Sequence, residues 1–339
     1  MSATNPILNT AADYLALPVS KPDYICRPII PRQRLILFVG NSTQGKTPFI
    51  SQMSRDIAAG QPVLDRFTCQ SPSRVGFIDA ESSGEDISLR LKMQEERKAD
   101  VGDKLIIRNR EQVYSEGFNL TAGGLKKLSA FAFENQLNLL VLDNLFALSG
   151  GLDVSKGNFV QPMLAGLKQI MSLPRHPSVV LCHHPRKGGT EDNRTTILDP
   201  NFMLWLEEAS GSGTLVNLSD VRLGLERVEK NGEEFTVLRG RSRVPGNEQD
   251  IGPFYLRVDE DHAIATIDRS PQILAEQGEK IAAILTLLRS IGCFSFKDAI
   301  RKGCALDVKP SEKTVRRAVR FAREHGFVIE TEGGLFQWV

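Results

Sequence analysis

Short apolar runs alternate with helical patterns over the first two thirds of the chain. Four of these runs are continuously hydrophobic, as expected for strands that are covered on both faces of a parallel sheet. They are Leu35–Val39, Val75–Asp79, Leu139–Leu142 and Ser178–Cys182. Because helical segments separate them, the pattern predicts an α/β fold with a mostly parallel central sheet.

The pattern changes after about Gly213, where short apolar runs follow one another with turns between them. We predict strands at Leu215–Asn217, Val221–Leu225, Phe235–Leu238, Phe254–Val258 and Ala263–Ile267. A boundary is expected near Asp268–Pro271, after which helices return. The sequence therefore predicts an N-terminal segment (1–32), a large α/β domain (33–270) and a small C-terminal domain (275–339).

Composition limits the classes of protein to consider. The 339 residues are 41% hydrophobic and 24% charged with a formal net charge of +1, which excludes a disordered chain and a polycation. No apolar run reaches about 18 residues, and Met1–Leu17 does not resemble a secretory signal, so no membrane partner is expected. The five cysteines are scattered without a CxxC pair, which disfavours disulfides and zinc and favours a reduced cytoplasmic compartment.

One loop carries a specific chemical signal, the pattern G-x-x-x-x-G-K-[ST] between a strand and a helix. Its residues are Gly40, Asn41, Ser42, Thr43, Gln44, Gly45, Lys46 and Thr47, and Pro48 follows in the first helical turn, where proline is tolerated. Backbone N–H groups of such a loop bind phosphate oxygens. Lys46 would reach the β- and γ-phosphates, and the Thr47 hydroxyl would bind Mg²⁺. The loop predicts ATP and Mg²⁺ as cofactors.

Two carboxylates follow predicted strands. Asp143 ends the run Leu139–Leu142, which we expect beside the strand of the phosphate-binding loop, and there it would hold Mg²⁺ through water. Glu81 lies just beyond Val75–Asp79, also expected beside that strand, where a carboxylate can polarise the attacking water. Asp79 is the competing candidate, and capping of a helix N-terminus is the structural alternative for both.

Two histidines end the strand Ser178–Cys182. Either His183 or His184 can contact the γ-phosphate and report the nucleotide state to the loop that follows. A metal site is disfavoured because no cluster of ligands accompanies the pair.

Two arginines follow a strand late in the α/β region. Arg241 and Arg243 can reach the γ-phosphate of a neighbouring subunit, although a solvated surface pair is the structural alternative. Arg222 and Arg227 are rivals for this role.

Residues from about 20 to 260 resemble the RecA-like ATPases, specifically the RepA-type hexameric plasmid replicative helicases. The ordered series with family-like spacing carries the resemblance, since only the P-loop is highly specific by itself. Its pieces are Lys21–Ile25 with Pro31, the P-loop, Phe77–Ser82 with Arg90, Leu140–Asp143, Cys182–Lys187 and Arg241–Arg243. The resemblance implies a homo-oligomeric, hexameric ring with single-stranded DNA in its channel.

The resemblance also implies roles for four residues. Glu81 matches the catalytic carboxylate, and His184 matches the γ-phosphate sensor better than His183. Arg241 and Arg243 match a Lys-x-Arg pair that enters the adjacent subunit's site, with Arg243 as the finger and Arg241 in the place of lysine.

A loop rich in glycine and charge matches the channel loop that contacts single-stranded DNA. It runs from Arg186 to Arg194 and includes Lys187. Ser210 stands where the family has arginine, which puts the standard channel geometry and processive unwinding in doubt.

Residues 275–339 resemble a winged helix. We predict helices at Glu276–Ser290, Ser295–Lys302 and Pro310–His325 and strands at Phe327–Glu330 and Leu335–Val339. One face of the third helix is basic, and the opposite face is apolar. The basic residues are Lys313, Arg316, Arg320 and Arg323, and the apolar ones are Val315, Ala318, Val319 and Ala322.

This region carries 11 basic and 8 acidic residues, so the rest of the chain is slightly acidic. A basic third helix before a glycine turn suits contact with the major groove or backbone of DNA. The structural alternative is a winged helix that packs against protein and leaves its basic face in solvent.

These observations favour a Mg²⁺-dependent ATPase that forms a ring on DNA, a replicative helicase of a mobile element or phage. The alternative is an ATP-switched DNA-binding or adaptor protein in which the winged helix makes the functional contact. A small-molecule kinase is disfavoured because no substrate lid is evident.

Overall fold

The computed structural model describes residues 10–16, 22–40, 45–97, 101–152, 157–184, 195–199, 201–210, 213–230, 233–259, 264–267, 279–307, 309–324, 327–331 and 334–338. The strands are β1 (Tyr24–Cys26), β2 (Ile30–Pro31), β3 (Leu35–Gly40), β4 (Val75–Asp79), β5 (Leu105–Arg108), β6 (Leu139–Asp143), β7 (Ser178–His183), β8 (Val221–Lys230), β9 (Glu233–Ser242), β10 (Gln249–Asp259), β11 (Ile264–Ile267), β12 (Cys293–Phe294), β13 (Val328–Glu330) and β14 (Phe336–Trp338). The helices are α1 (Ala11–Leu15), α2 (Lys46–Ala59), α3 (Gly84–Met93), α4 (Arg110–Glu116), α5 (Ala122–Glu134), α6 (Leu145–Leu148), α7 (Gly157–Met171), α8 (Phe202–Ser210), α9 (Gly213–Leu218), α10 (Glu279–Ile291), α11 (Phe296–Cys304) and α12 (Glu312–Glu324).

One large sheet organises the first three quarters of the chain. In the part that the structure describes, it has nine strands in the order β11-β10-β9-β8-β3-β7-β6-β4-β5. The strands from β5 to β8 in this order run parallel, and β9, β10 and β11 add antiparallel strands at one side. The predicted α/β fold with a mostly parallel central sheet is confirmed.

Both faces of the sheet are buried, which explains why its strands are continuous apolar runs. Along β3, Leu35, Leu37 and Val39 belong to one hydrophobic core, whereas Ile36 and Phe38 belong to the other. This separation follows from the two-residue period of side chains in a strand. Helices α5 and α7 pack in the first core and α2 in the second. The sheet is therefore the middle of three layers.

The order of the strands differs from the expected one. The neighbours of β3 are β7 and β8, whereas β6 lies one strand and β4 two strands further away. The expectation that the strands of Asp143 and Glu81 lie directly beside β3 was therefore wrong. Apolar runs do not encode their order in the sheet, because a crossover connection can leave room for strands that come later in the chain. All four strands nevertheless end at the same edge.

The run Leu215–Asn217, predicted as a strand, lies in the helix α9 (Gly213–Leu218). Short apolar runs fit either structure by periodicity alone. Here the helix lets Leu215 and Val216 reach the core. Two of its carbonyl oxygens accept side-chain hydrogen bonds, that of Leu215 from Ser219 Oγ and that of Val216 from Arg222 Nε.

The segment before β3 contributes to the second core, although its sequence is loop-rich. Ile25, Ile29 and Ile30 are buried there, and β1 pairs with β2. Cys26 and Cys69 join the same core, and burial raises the pKa of the Cys26 thiol. The boundary predicted near residue 32 stays a prediction.

The C-terminal region consists of helices α10, α11 and α12 and a three-stranded antiparallel sheet in the order β12-β14-β13. The predicted apolar stripe on α12 is buried: Val315, Ala318, Val319 and Ala322 are at most 2% exposed. The winged-helix assignment of this region stays a prediction. Among the described residues, the helices are too short or too polar to cross a membrane.

We predict that Gly224→Ala destabilises the protein by about 1–3 kcal/mol, the usual cost of overpacking. Gly224 lies in the middle of β8, and a Cβ atom there would overlap the rigid ring of the buried Trp205. Urea unfolding followed by tryptophan fluorescence measures the change in the free energy of unfolding.

Gly123→Ala is the matched control, because a Cβ atom at this position in α5 meets nothing within 4 Å. This substitution should stabilise the protein by about 0.5–1 kcal/mol through the helix propensity of alanine. Equal stability of Gly224→Ala and the wild type would contradict the close packing of α8 on the sheet.

Candidate active site

The carboxyl ends of β3, β7, β6 and β4 meet at one edge of the sheet. The register pairs Val39 of β3 with His183 of β7, and Asp143 of β6 with Asp79 of β4. Open α/β sheets bind ligands at this edge, because loops diverge there and helices begin. Of the predicted site residues that the structure describes, this edge includes Gly40, Gly45, Lys46, Thr47, Pro48, Glu81, Asp143 and His184.

The phosphate-binding loop joins β3 to α2. Gly40 is the last residue of β3, and Asn41–Gln44 lie outside the described residues. Gly45 has a φ of 83°, in the left-handed region that favours glycine, and immediately precedes α2. The helix therefore begins at Lys46, two residues before the predicted start at Pro48, and directs its free N–H groups toward the edge of the sheet.

The Lys46 and Asp143 side chains form a buried ion pair. Lys46 Nζ donates a hydrogen bond to Asp143 Oδ1 at 2.6 Å, and the two side chains are 0% and 1% exposed. Burial by itself would lower the pKa of Lys46. The charge and the hydrogen bond of Asp143 outweigh this effect, so the pKa of Lys46 lies above its ordinary value. The other carboxylate oxygen, Oδ2, accepts a hydrogen bond from Thr47 Oγ1 at 3.1 Å.

The chemistry of this cluster fits Mg²⁺ and a nucleotide. The Thr47 hydroxyl and the Asp143 carboxylate supply hard oxygen atoms, the type of ligand that Mg²⁺ prefers. The described residues include no group of three or more His, Cys, Asp or Glu side chains that could hold a metal ion. Mg²⁺ would therefore depend on phosphate oxygens for part of its coordination, as is usual in nucleotide sites.

Asp79 shapes the turn after β4. Its carboxylate is fully buried and accepts hydrogen bonds from the backbone N–H groups of Glu81 at 3.1 Å and Ser82 at 2.9 Å. Arg90 Nη1 lies 3.5 Å from the other carboxylate oxygen. Of the two candidates for the catalytic carboxylate, Asp79 thus binds the backbone of its own turn, while Glu81 remains accessible to solvent.

Glu81 lies beside His184 and Asn144. Glu81 Oε1 is 3.3 Å from His184 Nε2, and Asn144 Nδ2 is 2.7 Å from the same nitrogen. The hydrogen bond with His184 is the main cause that lowers the pKa of Glu81, and the hydrogen bond with Asn144 and the charge of Lys46 lower it as well. Partial burial opposes the shift without reversing it. The 43% exposed carboxylate therefore stays ionised at neutral pH.

His184 Nε2 faces a donor and an acceptor at once. Asn144 Oδ1 accepts a hydrogen bond from the Ala147 N–H at 3.1 Å, so its Nδ2 is directed at the histidine as a donor. Nε2 can accept this bond when it is unprotonated or donate to Glu81 when it carries the proton, but not both. The neighbouring His183 is buried at the end of β7.

Sequence reasoning missed Asn144. The residue caps α6 and directly follows Asp143 at the end of β6. Its position directly after Asp143, a predicted metal ligand, was the feature of the sequence that could have identified it as a site residue. Its contact with His184 depends on the loop after β7, which periodicity does not describe.

Arg241 and Arg243 lie at the opposite edge of the sheet. Ser242, which lies between them, pairs with Val221, and Val221 pairs in turn with Ile36. Ile36 is near the start of β3, whereas the phosphate-binding loop follows the end of that strand. Both arginines are exposed, and Arg243 Nη1 donates a hydrogen bond to the Asn217 carbonyl oxygen at 3.1 Å. They are therefore not part of the cluster around Lys46 in the same chain.

The predicted channel residues Arg186, Lys187 and Arg194 lie outside the described residues. Ser210, which stands where the resembling family has arginine, is the last residue of α8.

The basic residues of α12 are exposed, as predicted. Lys313 and Arg320 project from the face opposite the buried stripe. Arg316 forms an ion pair with Glu312 at 2.5 Å and lies over the Phe296 ring, 5.1 Å from its centroid.

Comparison with known proteins gives one family. A model described as an AAA domain matches residues 4–190, more than half of the chain. No curated protein matches.

Two solved structures are similar over most of their length. A KaiC-like protein from Pyrococcus horikoshii OT3 has 12% identity and a TM-score of 0.46, and the match covers 72% of this chain and 93% of that one. Flagellar accessory protein FlaH from Methanocaldococcus jannaschii has 12% identity and a TM-score of 0.46, with 71% and 92% covered.

We predict that Lys46→Met destabilises the nucleotide-free protein by about 3–5 kcal/mol, because it leaves the Asp143 carboxylate buried without its partner. The double variant Lys46→Met/Asp143→Asn should recover much of this loss, since it removes both charges. Urea unfolding of the wild type, both single variants and the double variant gives the coupling energy. Additive losses would mean that the two side chains do not interact in solution.

Proposed function

The chain belongs to the AAA domain family, whose members are P-loop ATPases, and on this premise we propose a Mg²⁺-dependent ATPase that forms a ring and moves on DNA as a replicative helicase. The observation that carries the proposal is the cluster of Lys46, Thr47, Asp143, Glu81 and His184 at one edge of the sheet. The cluster combines a cation for phosphate, oxygen ligands for Mg²⁺ and an ionised carboxylate.

In this proposal, Lys46 and the N-terminus of α2 bind the β- and γ-phosphates. Lys46 exchanges its bond with Asp143 for phosphate oxygens, which frees a carboxylate oxygen beside Thr47. Mg²⁺ supplies positive charge that offsets the charge of the phosphates when it is bound. Thr47 and Asp143 would hold that ion, because α2 and β6 keep both side chains in place.

Glu81 acts as the base that orients the attacking water. Its lowered pKa keeps it ionised, and partial exposure leaves it open to water. His184 and Asn144 position the carboxylate. Asn144 and Glu81 both lie within reach of His184 Nε2, so the proton on that nitrogen decides whether Glu81 is held or released. His184 also precedes the predicted channel loop, which would couple the nucleotide state to DNA.

The ring is part of the proposal because the arginines face away from their own nucleotide site. Arg243 lies at the sheet edge opposite Gly40, so a neighbouring copy must supply it if it contacts the γ-phosphate. Head-to-tail contacts of this kind connect two different surfaces and generate rings when the rotation closes.

The second candidate is an ATP-switched DNA-binding or adaptor protein that does not unwind DNA. The exposed basic face of α12 favours it, since this surface can bind DNA without a ring channel. The two candidates differ in strand displacement on forked DNA, which only a helicase performs. ATPase stimulation by single-stranded DNA together with displacement supports the helicase, and DNA binding without displacement supports the adaptor.

We predict that Glu81→Gln lowers the ATP turnover number by about 10²–10⁴-fold, the usual contribution of a general base. ATP affinity should change little, because Lys46, Thr47 and Asp143 are unaltered. Steady-state turnover and binding of a fluorescent nucleotide measure the two quantities.

The control is Glu85→Gln, at an exposed carboxylate in the first turn of α3. It should hydrolyse ATP at the wild-type rate. Wild-type turnover of Glu81→Gln would remove Glu81 from the proposed role.

We predict that Lys313→Glu/Arg320→Glu weakens double-stranded DNA binding and flattens its dependence on salt, because contacts with phosphates release counterions. Arg289→Glu on α10 is the control with the same type of charge reversal at an exposed site. Fluorescence anisotropy at several salt concentrations measures both effects. Equal weakening by the two variants would indicate a general effect of net charge rather than a DNA-binding face on α12.

A further inference from the structure

A cavity with three arginines lies at the sheet edge opposite the phosphate-binding loop. Its volume is about 240 Å³, and it is lined by Met203, Arg222, Arg241, Ser242, Arg243 and Glu248. Across the β8–β9 pair, Arg222 is directly opposite Arg241 in the register. Two neighbouring strands therefore bring their basic side chains to one cavity.

Arg222 is the unusual member of this group because it is fully buried. Its Nε donates a hydrogen bond to the Val216 carbonyl oxygen, so the side chain is anchored at α9. Nη1 and Nη2 are buried as well and have no hydrogen-bond partner among the residues that the structure describes. A buried cation without partners for its N–H groups is costly, and proteins ordinarily pair such a group.

The carboxylates near Arg222 do not form hydrogen bonds with its Nη atoms. Burial, together with repulsion from Arg243 and Arg241, lowers the pKa of Arg222 to about 10, while the charges of Asp220 and Glu207 oppose the lowering. The Asp220 carboxylate accepts hydrogen bonds from the Leu35 N–H at 3.1 Å and Arg34 Nη1 at 3.3 Å. Glu248 also lines the cavity, and Asp250 Oδ1 lies 3.7 Å from Arg241 Nε, so the three guanidinium groups outnumber these two carboxylates. The Arg222 Nη atoms have no acceptor among the described residues.

We propose that Arg222, Arg241 and Arg243 form a binding site for a phosphoryl group, with Arg222 as its built-in anchor. A phosphate dianion has oxygen atoms in several directions, so it can accept hydrogen bonds from guanidinium groups on both β8 and β9. It would offset the positive charge of the buried guanidinium. The exposed Arg241 and Arg243 close on the group from the solvent side.

This site deepens the proposed function, since two sources can supply the phosphoryl group. One is the terminal phosphate of ATP in the nucleotide site of a neighbouring copy, which rests on the proposed ring. The other is free inorganic phosphate, which requires no ATPase activity. Arg222 would then act together with the arginine pair predicted from the sequence, rather than as a rival to it.

The first experiment measures inorganic phosphate binding in full-length Lys46→Met/Asp143→Asn, in which the nucleotide site is disabled. Isothermal titration, with chloride at equal ionic strength as the reference, gives the affinity. We expect saturable binding that Arg222→Met weakens by about tenfold or more, because charge-assisted hydrogen bonds are lost. Arg289→Ala, which removes an exposed arginine from α10, should leave the affinity unchanged.

Arg241→Ala and Arg243→Ala provide a second test that does not depend on a buried position. Both side chains are exposed, so their removal should not affect folding, yet each should also weaken phosphate binding. Phosphate affinity that is absent in the parent protein, or unchanged in these two variants, overturns the proposal even if Arg222→Met fails to fold.

The second experiment distinguishes the sources by mixing two variants and comparing the ATP turnover of the mixture with that of each variant alone. Lys46→Met/Asp143→Asn keeps the arginine cavity, whereas Arg222→Met keeps the nucleotide site. ATP turnover of the mixture above the sum of its components supports a neighbour's nucleotide as the source. Phosphate binding without such rescue supports free phosphate, and it would stand even if the wild type did not hydrolyse ATP.

Discussion

The buried ion pair between Lys46 and Asp143 is the contact on which the nucleotide site depends. Lys46 opens α2 at the end of the phosphate-binding loop, and Asp143 ends β6, with β7 between β6 and the strand that carries the loop. Both side chains are buried, and each compensates the charge of the other. The pair therefore holds the helix, the loop end and the sheet edge in one arrangement.

The two edges of the sheet differ in chemistry. The edge at Gly40 combines an ion pair, an ionised Glu81 and His184, whereas the opposite edge has a cavity with three arginines. A nucleotide at the first edge would present negative charge, and the second edge has a buried Arg222 whose Nη atoms have no hydrogen-bond partner among the described residues. In the ring that we propose, contacts between two copies would join these unlike edges head to tail.

Parts of the site were predictable because their chemistry depends on residues close together in the chain. The phosphate-binding loop is one such part, since strand, glycines, lysine and helix follow one another. Glu81 and Asp79 were both candidates, and the sequence did not separate them. Only the fold shows that the Asp79 carboxylate binds the backbone of its own turn.

The sequence by itself determined the α/β class, the loop that suits phosphate and the amphipathic pattern of α12, because each depends on local order and periodicity. The tertiary structure decided the order of the strands, the contact of Asn144 with His184 and the burial of Arg222. These features join residues that are far apart in the chain. Such contacts depend on which strands pair and on which loops meet at the ends of those strands. The pattern of apolar residues specifies neither the pairing nor the meeting of the loops.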